Sequence, residues 1–248
     1  MTFNITISPD FSPDHISGWY IFNTWLQRQL EMGIHLELYN DFASQREAIA
    51  ADQVDIIYAN PFDASMLVRE KGFIPVARPI GKADEAVIAV QTDSPVQHVE
   101  DLQAGARVAT TDDPHVHMMC MIMLEPADLN KDNLEFIPCG GYVLVAKALF
   151  QGRADVGFFL NEAFDDLSDV IRKDLRVLVR SQISVIEHVL LVGPRLADQQ
   201  QKILGTLRGM TDDEKGKGVL SSLGFDGWEP VDQEDTEFMI DLMETLMS

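Results

Sequence analysis

Ala48-Ile49-Ala50-Ala51-Asp52-Gln53-Val54-Asp55-Ile56-Ile57-Tyr58-Ala59-Asn60-Pro61 reads as the end of a helix, an apolar strand, and a polar turn into a segment that Pro61 is suited to start. Upstream, Met1 to Ile7 alternates as a strand. Trp19, Phe22, Leu26 and Leu30 then recur at helical spacing after the cap-like Ser12-Pro13-Asp14, and Ile34, Leu36 and Leu38 alternate again. Further strands are expected at 73–77, 86–91, 106–110, 134–137, 155–159, 175–179 and 188–192, with helical patterns between most of them. This order predicts an α/β protein with largely parallel sheets. From Leu196 onward the pattern predicts helices only, and from Met210 to Ser248 eleven acids against Lys215 and Lys217 suggest a solvated acidic face.

The opening stretch has an echo. Ala148-Leu149 followed by Ala154-Asp155-Val156-Gly157-Phe158 repeats Ala48-Ile49 followed by Val54-Asp55-Ile56-Ile57-Tyr58 at an offset of one hundred residues. A helix-to-strand joint often looks like this, but the match is consistent with two similar sheets.

At 248 residues, 46% hydrophobic and 24% charged, the chain can bury one large core or two modest ones, which excludes disorder and low-complexity architecture. Its net charge of −21 repels phosphate backbones and anionic membrane surfaces, so nucleic acid is not an expected partner. No apolar run approaches a membrane span. The amino terminus lacks the pattern of an export signal, which implies an extracytoplasmic protein if a leader has been removed and a cytoplasmic one if Met1 is the native start. Cys120 and Cys139 make at most one bridge, and buried free cysteine is the commoner state.

Several strings, in this order, resemble the solute-binding proteins of phosphate, phosphite and phosphonate ABC importers. They are residues 53–61, Asp101 to Ala109, Asp113-Pro114, Gly140-Gly141, Ala148-Leu149 with Gly152 to Gly157, and Leu223-Gly224-Phe225-Asp226-Gly227-Trp228. The resemblance implies the type 2 periplasmic-binding-protein fold, with two α/β lobes and a ligand cleft between them. Lobe 1 is then expected at 1–91 plus 188–248 and lobe 2 at 92–187. It also implies a non-enzymatic protein, monomeric and without cofactor, that captures a small polar or anionic ligand for a permease or sensor.

The pattern also departs from the family. After the Asp-Pro pair, these binders usually carry Ser-Thr-Ser-Gly to hold the oxyanion, whereas this chain has His115-Val116-His117-Met118-Met119. Tyr142 stands where the family usually has a histidine, and Ala64 where a tyrosine often follows. Phosphonate itself is therefore not the expected ligand. Loops at strand carboxyl ends are where such sheets bind ligands, which selects His15, Tyr58, Asn60, Asp63, His115, His117, Tyr142 and Glu162 as candidate contacts. For His15, Tyr58, Asn60 and Asp63 the competing reading is capping and turn chemistry. Two alternatives accompany this reading. One is a cytosolic enzyme of the same fold, of menaquinone- or thiamine-pathway type, although no catalytic motif is present. The other is a soft-metal protein binding copper or zinc through His115, His117 and Cys120, against which methionines at helical spacing are usually core filling.

Overall fold

The computed structural model describes residues 2–11 and 13–247, so the cap-like Ser12 lies outside the described residues. In chain order the elements are β1 (Thr2–Ile7), α1 (Ile16–Leu30), β2 (Gly33–Glu37), α2 (Phe42–Ala50), β3 (Ile56–Ala59), α3 (Pro61–Arg69) and β4 (Ile74–Pro79). There follow β5 (Ala86–Gln91), β6 (Arg107–Thr110), α4 (Pro114–Leu124), β7 (Glu135–Pro138), α5 (Tyr142–Phe150), β8 (Val156–Leu160), α6 (Asn161–Asp165), α7 (Asp169–Arg172) and β9 (Leu175–Arg180). The chain ends with β10 (Val189–Val192), α8 (Gln200–Arg208), α9 (Glu214–Leu223), β11 (Trp228–Pro230) and α10 (Gln233–Met247). Among the described residues no helix is long and apolar enough to cross a membrane.

These elements form two compact units, 1–82 with 187–243 and 83–186 with 244–248. The first contains a sheet of order β11-β4-β10-β3-β1-β2, the second a sheet of order β7-β6-β8-β5-β9. Because β5 pairs with β8 and β9, Ala86–Gln91 belongs to the second sheet, and the first boundary falls before this strand instead of after Gln91. Most strands of each sheet run the same way, as expected, but not all do. β1 runs parallel to β2 and β3, and β6 runs parallel to β7 and β8, but β10 and β5 are inserted antiparallel. Strand direction depends on how the chain returns to the sheet, which local periodicity does not record. The three-residue β11 also corrects the helices-only reading of the carboxyl-terminal stretch.

The hundred-residue echo is a structural repeat. The neighbours β2-β1-β3-β10-β4 of the first sheet correspond to β7-β6-β8-β5-β9 of the second. Asp55 and Asp155 occupy the same place in each: the Asn4 N–H donates to Asp55 and the Arg107 N–H to Asp155, both at 2.9 Å. Each carboxylate also pairs with a guanidinium, Arg195 in the first unit and Arg107 in the second.

The apolar stripe of α1 explains its place against the first sheet. Phe22, Leu26 and Leu30 pack with Ile5, Ile7 and Ile56, each burial contributing about 1.5–3 kcal/mol. In the second unit Val145 and Leu149 of α5 pack against Ala109 and Phe159. Helix α1 meets α9 so closely that a Cβ on Gly18 would lie 2.1 Å from the Ser222 carbonyl oxygen. Gly18→Ala is therefore expected to cost about 3 kcal/mol, read as a lower urea midpoint with unchanged slope. A loss below about 0.5 kcal/mol would show that the two helices part freely.

Candidate functional site

In the second unit, β6 ends at Thr110 and a short turn leads to Asp113, the N-cap of α4, with Pro114 in the first helical turn. The Asp113 carboxylate accepts from the Val116 N–H at 3.4 Å, a long bond, and from the Tyr142 hydroxyl at 2.8 Å. Its Oδ1 lies 2.7 Å from Nδ1 of His115, and the other ring nitrogen of His115 lies 3.8 Å from Asp84. Asp113 and His115 are 2% and 0% exposed, so the carboxylate has lost its water and these groups must compensate it. Beside them Ser181 and the Ser184 N–H both donate to Glu85. Arg180 is held by both oxygens of Asp165 and by Asn161.

The two candidate histidines of α4 part company. Two residues along a helix is a rotation of about 200°, so His117 turns away from His115 and places its ring 5.0 Å from Phe136 and 6.0 Å from Phe158. Burial lowers its imidazole pKa. Cys120 is buried with Sγ toward the Val87 carbonyl, and burial pushes its thiol well above the usual range. Among the described residues, His115, His117 and Cys120 therefore form no common metal-ligating group, because helical phase sends them to different neighbours. Cys120 and Cys139 are both free thiols. Glu162 is half-buried in the first turn of α6, at the carboxyl end of β8.

In the first unit the candidates make the following contacts. Asn60 caps α3 by accepting from the Asp63 N–H, and its amide donates to Ser8 and to Asp63. Asp63 receives Arg46 through two nitrogens at 2.6 and 3.2 Å, the guanidinium lying over Phe42 and Phe62. His15 sets Nδ1 3.2 Å from the Ser222 carbonyl and lies against Gly224, whose φ of 71° ends α9 in the left-handed region. Tyr58 is buried among Trp19, Phe225 and Trp228 and stacks on His188 at 5.1 Å.

Sequence reasoning did not single out His188, whose Nε2 lies 3.0 Å from Asp10 Oδ1 with both side chains over nine-tenths buried. A histidine at the head of an apolar strand was its signal. Asp113 entered only as half of a dipeptide, although an acid before Pro marks an N-cap and hence a helix start.

Two predictions follow from these environments. His117 has a lowered folded-state pKa, so the unfolded chain binds the proton more tightly and stability falls as pH drops below the unfolded value of about 6.5. Thermal melts of His117→Phe are expected to lose less stability than wild type on acidification through that range, and parallel curves would contradict the assignment. His15→Ala is expected to lower the melting temperature by removing the contact with α9 without changing ligand affinity, as calorimetry would show; an affinity loss beyond about tenfold would return His15 to the ligand.

The geometry accords with known relatives. The family model for the ABC transporter phosphonate periplasmic substrate-binding protein matches residues 5–236. The fold is similar to a binding protein component of an ABC phosphonate transporter from Pseudomonas aeruginosa (TM-score 0.82, 16% identity, covering 99% of this chain and 87% of that one). PhnD1 from Prochlorococcus marinus, in complex with methylphosphonate, gives a TM-score of 0.84 at 11% identity over 99% and 98% of the chains. The alkanesulfonate-binding protein SsuA from Xanthomonas axonopodis pv. citri, bound to MOPS, gives 0.68 at 16% identity over 99% and 93%. No curated protein sequence matches this chain. With a family match over nearly the whole length and two α/β units of repeated topology, the chain belongs to the phosphonate-type periplasmic substrate-binding proteins of ABC transporters.

Proposed function

We propose that this protein captures a small polar ligand other than a phosphonate, leaves it chemically unchanged, and delivers it in the periplasm to a membrane permease or sensor. The observation that carries this reading is the start of α4. Residues 115–117 carry no hydroxyl where an oxyanion needs hydroxyls: His115 is paired with Asp113, Val116 is apolar, and His117 packs against Phe136 and Phe158. His115 and Tyr142, with Glu162 at the end of β8, are the ligand-selecting groups of the second unit. Tyr58 is the corresponding group of the first, where Asn60, Asp63 and His15 support the loops and His117 fills the core of the second.

Ligands that bind only the folded state raise the melting temperature in proportion to the logarithm of their excess. In a thermal-shift panel of methylphosphonate, inorganic phosphate, alkanesulfonates, amino acids, polyamines and divalent metal salts, methylphosphonate is expected to leave the melting temperature unchanged. A compound that does stabilise the protein is expected to lose its effect in His115→Ala. Saturable stabilisation by methylphosphonate, or an undiminished shift in His115→Ala, would overturn this reading.

A further inference from the structure

We infer that Glu85 is a latch on the two backbone links that join the compact units, one that confines their bending to residues 81–83 in the first link and to the peptide between Ile186 and Glu187 in the second. This inference rests on the binding-protein reading above and adds how the chain sets its affinity for the ligand.

The chain passes from the first unit to the second between residues 82 and 83 and returns between 186 and 187. Each link is tied to its own unit close to the crossing. On the first-unit side the Ile80 N–H donates to the Gly227 carbonyl at 3.0 Å, and Arg78 donates to Glu187 and, at 2.8 Å, to Glu229. On the second-unit side the Asp84 N–H donates to the Ile186 carbonyl at 2.7 Å, so the outgoing and returning links are bonded to each other there. Glu85 strengthens that join. Its carboxylate accepts from the Ser181 hydroxyl and, at 2.7 Å, from the Ser184 N–H, while its carbonyl accepts from the Asn161 N–H.

Little is left to bend. Among the described residues Gly81 and Ala83 make no hydrogen bond, and Gly81 sits at a φ of 68° with open space where a Cβ would be. In the returning link Ile186 is tied to the second unit and its neighbour Glu187 to the first, so a turn must pass through the dihedral angles beside their shared peptide. Ser184 shows that the latch holds the chain under constraint. Its φ of 61° lies in the left-handed region, which a serine keeps only where its surroundings impose it, and Glu85 grips its N–H. Without the carboxylate, residues 181–184 are released and the second link gains a longer flexible stretch. A protein that spends more time in arrangements unable to hold its ligand has its apparent affinity reduced by that fraction.

The test needs no ligand. Spin labels are attached through Thr24→Cys and Lys131→Cys, exposed positions of the first and second units, with Cys120→Ala and Cys139→Ser removing the native thiols. Pulsed EPR then compares the distance distribution of this labelled chain with and without Glu85→Ala, each checked for a cooperative melt. The control is Asp101→Ala, which removes an acid of the second unit that accepts the Gln97 and His98 N–H groups. Glu85→Ala is expected to broaden the distribution and Asp101→Ala to leave it unchanged. An unchanged distribution in Glu85→Ala, or equal broadening in both, would overturn the inference. Hydrogen exchange of the unlabelled wild-type protein gives a reading that depends on no variant: the Gly81 and Ala83 amides are expected to exchange at least about tenfold faster than those of Ile80, Asp84 and Ser184. Equal rates would also overturn it. Neither measurement uses a ligand, so such a failure leaves the binding-protein reading standing, and the thermal-shift panel tests that reading alone.

Discussion

A carboxylate stripped of water must be answered by donors, and in the second unit that requirement falls on Asp113. Its oxygens engage the first turn of α4, the phenol of α5 and the imidazole of His115, so one acid ties two helices and the end of β6 together. The turn that would otherwise face a ligand with hydroxyl groups is thus built around the protein's own negative charge. Position and chemistry cannot be separated there: moving Asp113 would loosen the start of α4 and unpair His115 together.

The same economy appears twice in the chain. Asp55 and Asp155 each accept an N–H from a parallel neighbouring strand of their sheet, β1 or β6, and an arginine pairs with each. These acids anchor the chain just before β3 and β8. The following turns begin α3 and α6 at the carboxyl ends of the strands, where backbone N–H groups are available for binding. Repetition of structure has not meant repetition of chemistry. In the first unit Asn60 and Asp63 lock the turn through Arg46, whereas Asn161 at the matching turn holds Arg180 with Asp165.

Much of this was legible beforehand, for physical reasons that differ by element. The strand at 86–91 is apolar at nearly every position because both faces are covered, so its limits stand out. The echo at 48 and 148 exposed the repeat because the Asp that anchors each strand has the same work in both. The antiparallel strands were not legible, since an antiparallel insertion and a parallel strand share the same local pattern. Among the proposed site residues, Tyr142 and His115 stand out in the sequence as departures from a family motif, and Asn60 as a cap at a strand's carboxyl end. His117 was grouped with His115 by composition, although helical phase already separates them. The pairing of Asp10 with His188 joins residues far apart in sequence, and no periodicity records it.

The account's central claim is that His115, and not His15, senses the ligand. Nitrogen-15 NMR of the imidazole rings tests it directly, comparing the protein alone with the protein saturated by the compound that stabilises it most. The account predicts that the His115 ring nitrogens change shift on saturation while those of His15 stay in place. A shift confined to His15, with His115 unmoved, would contradict it.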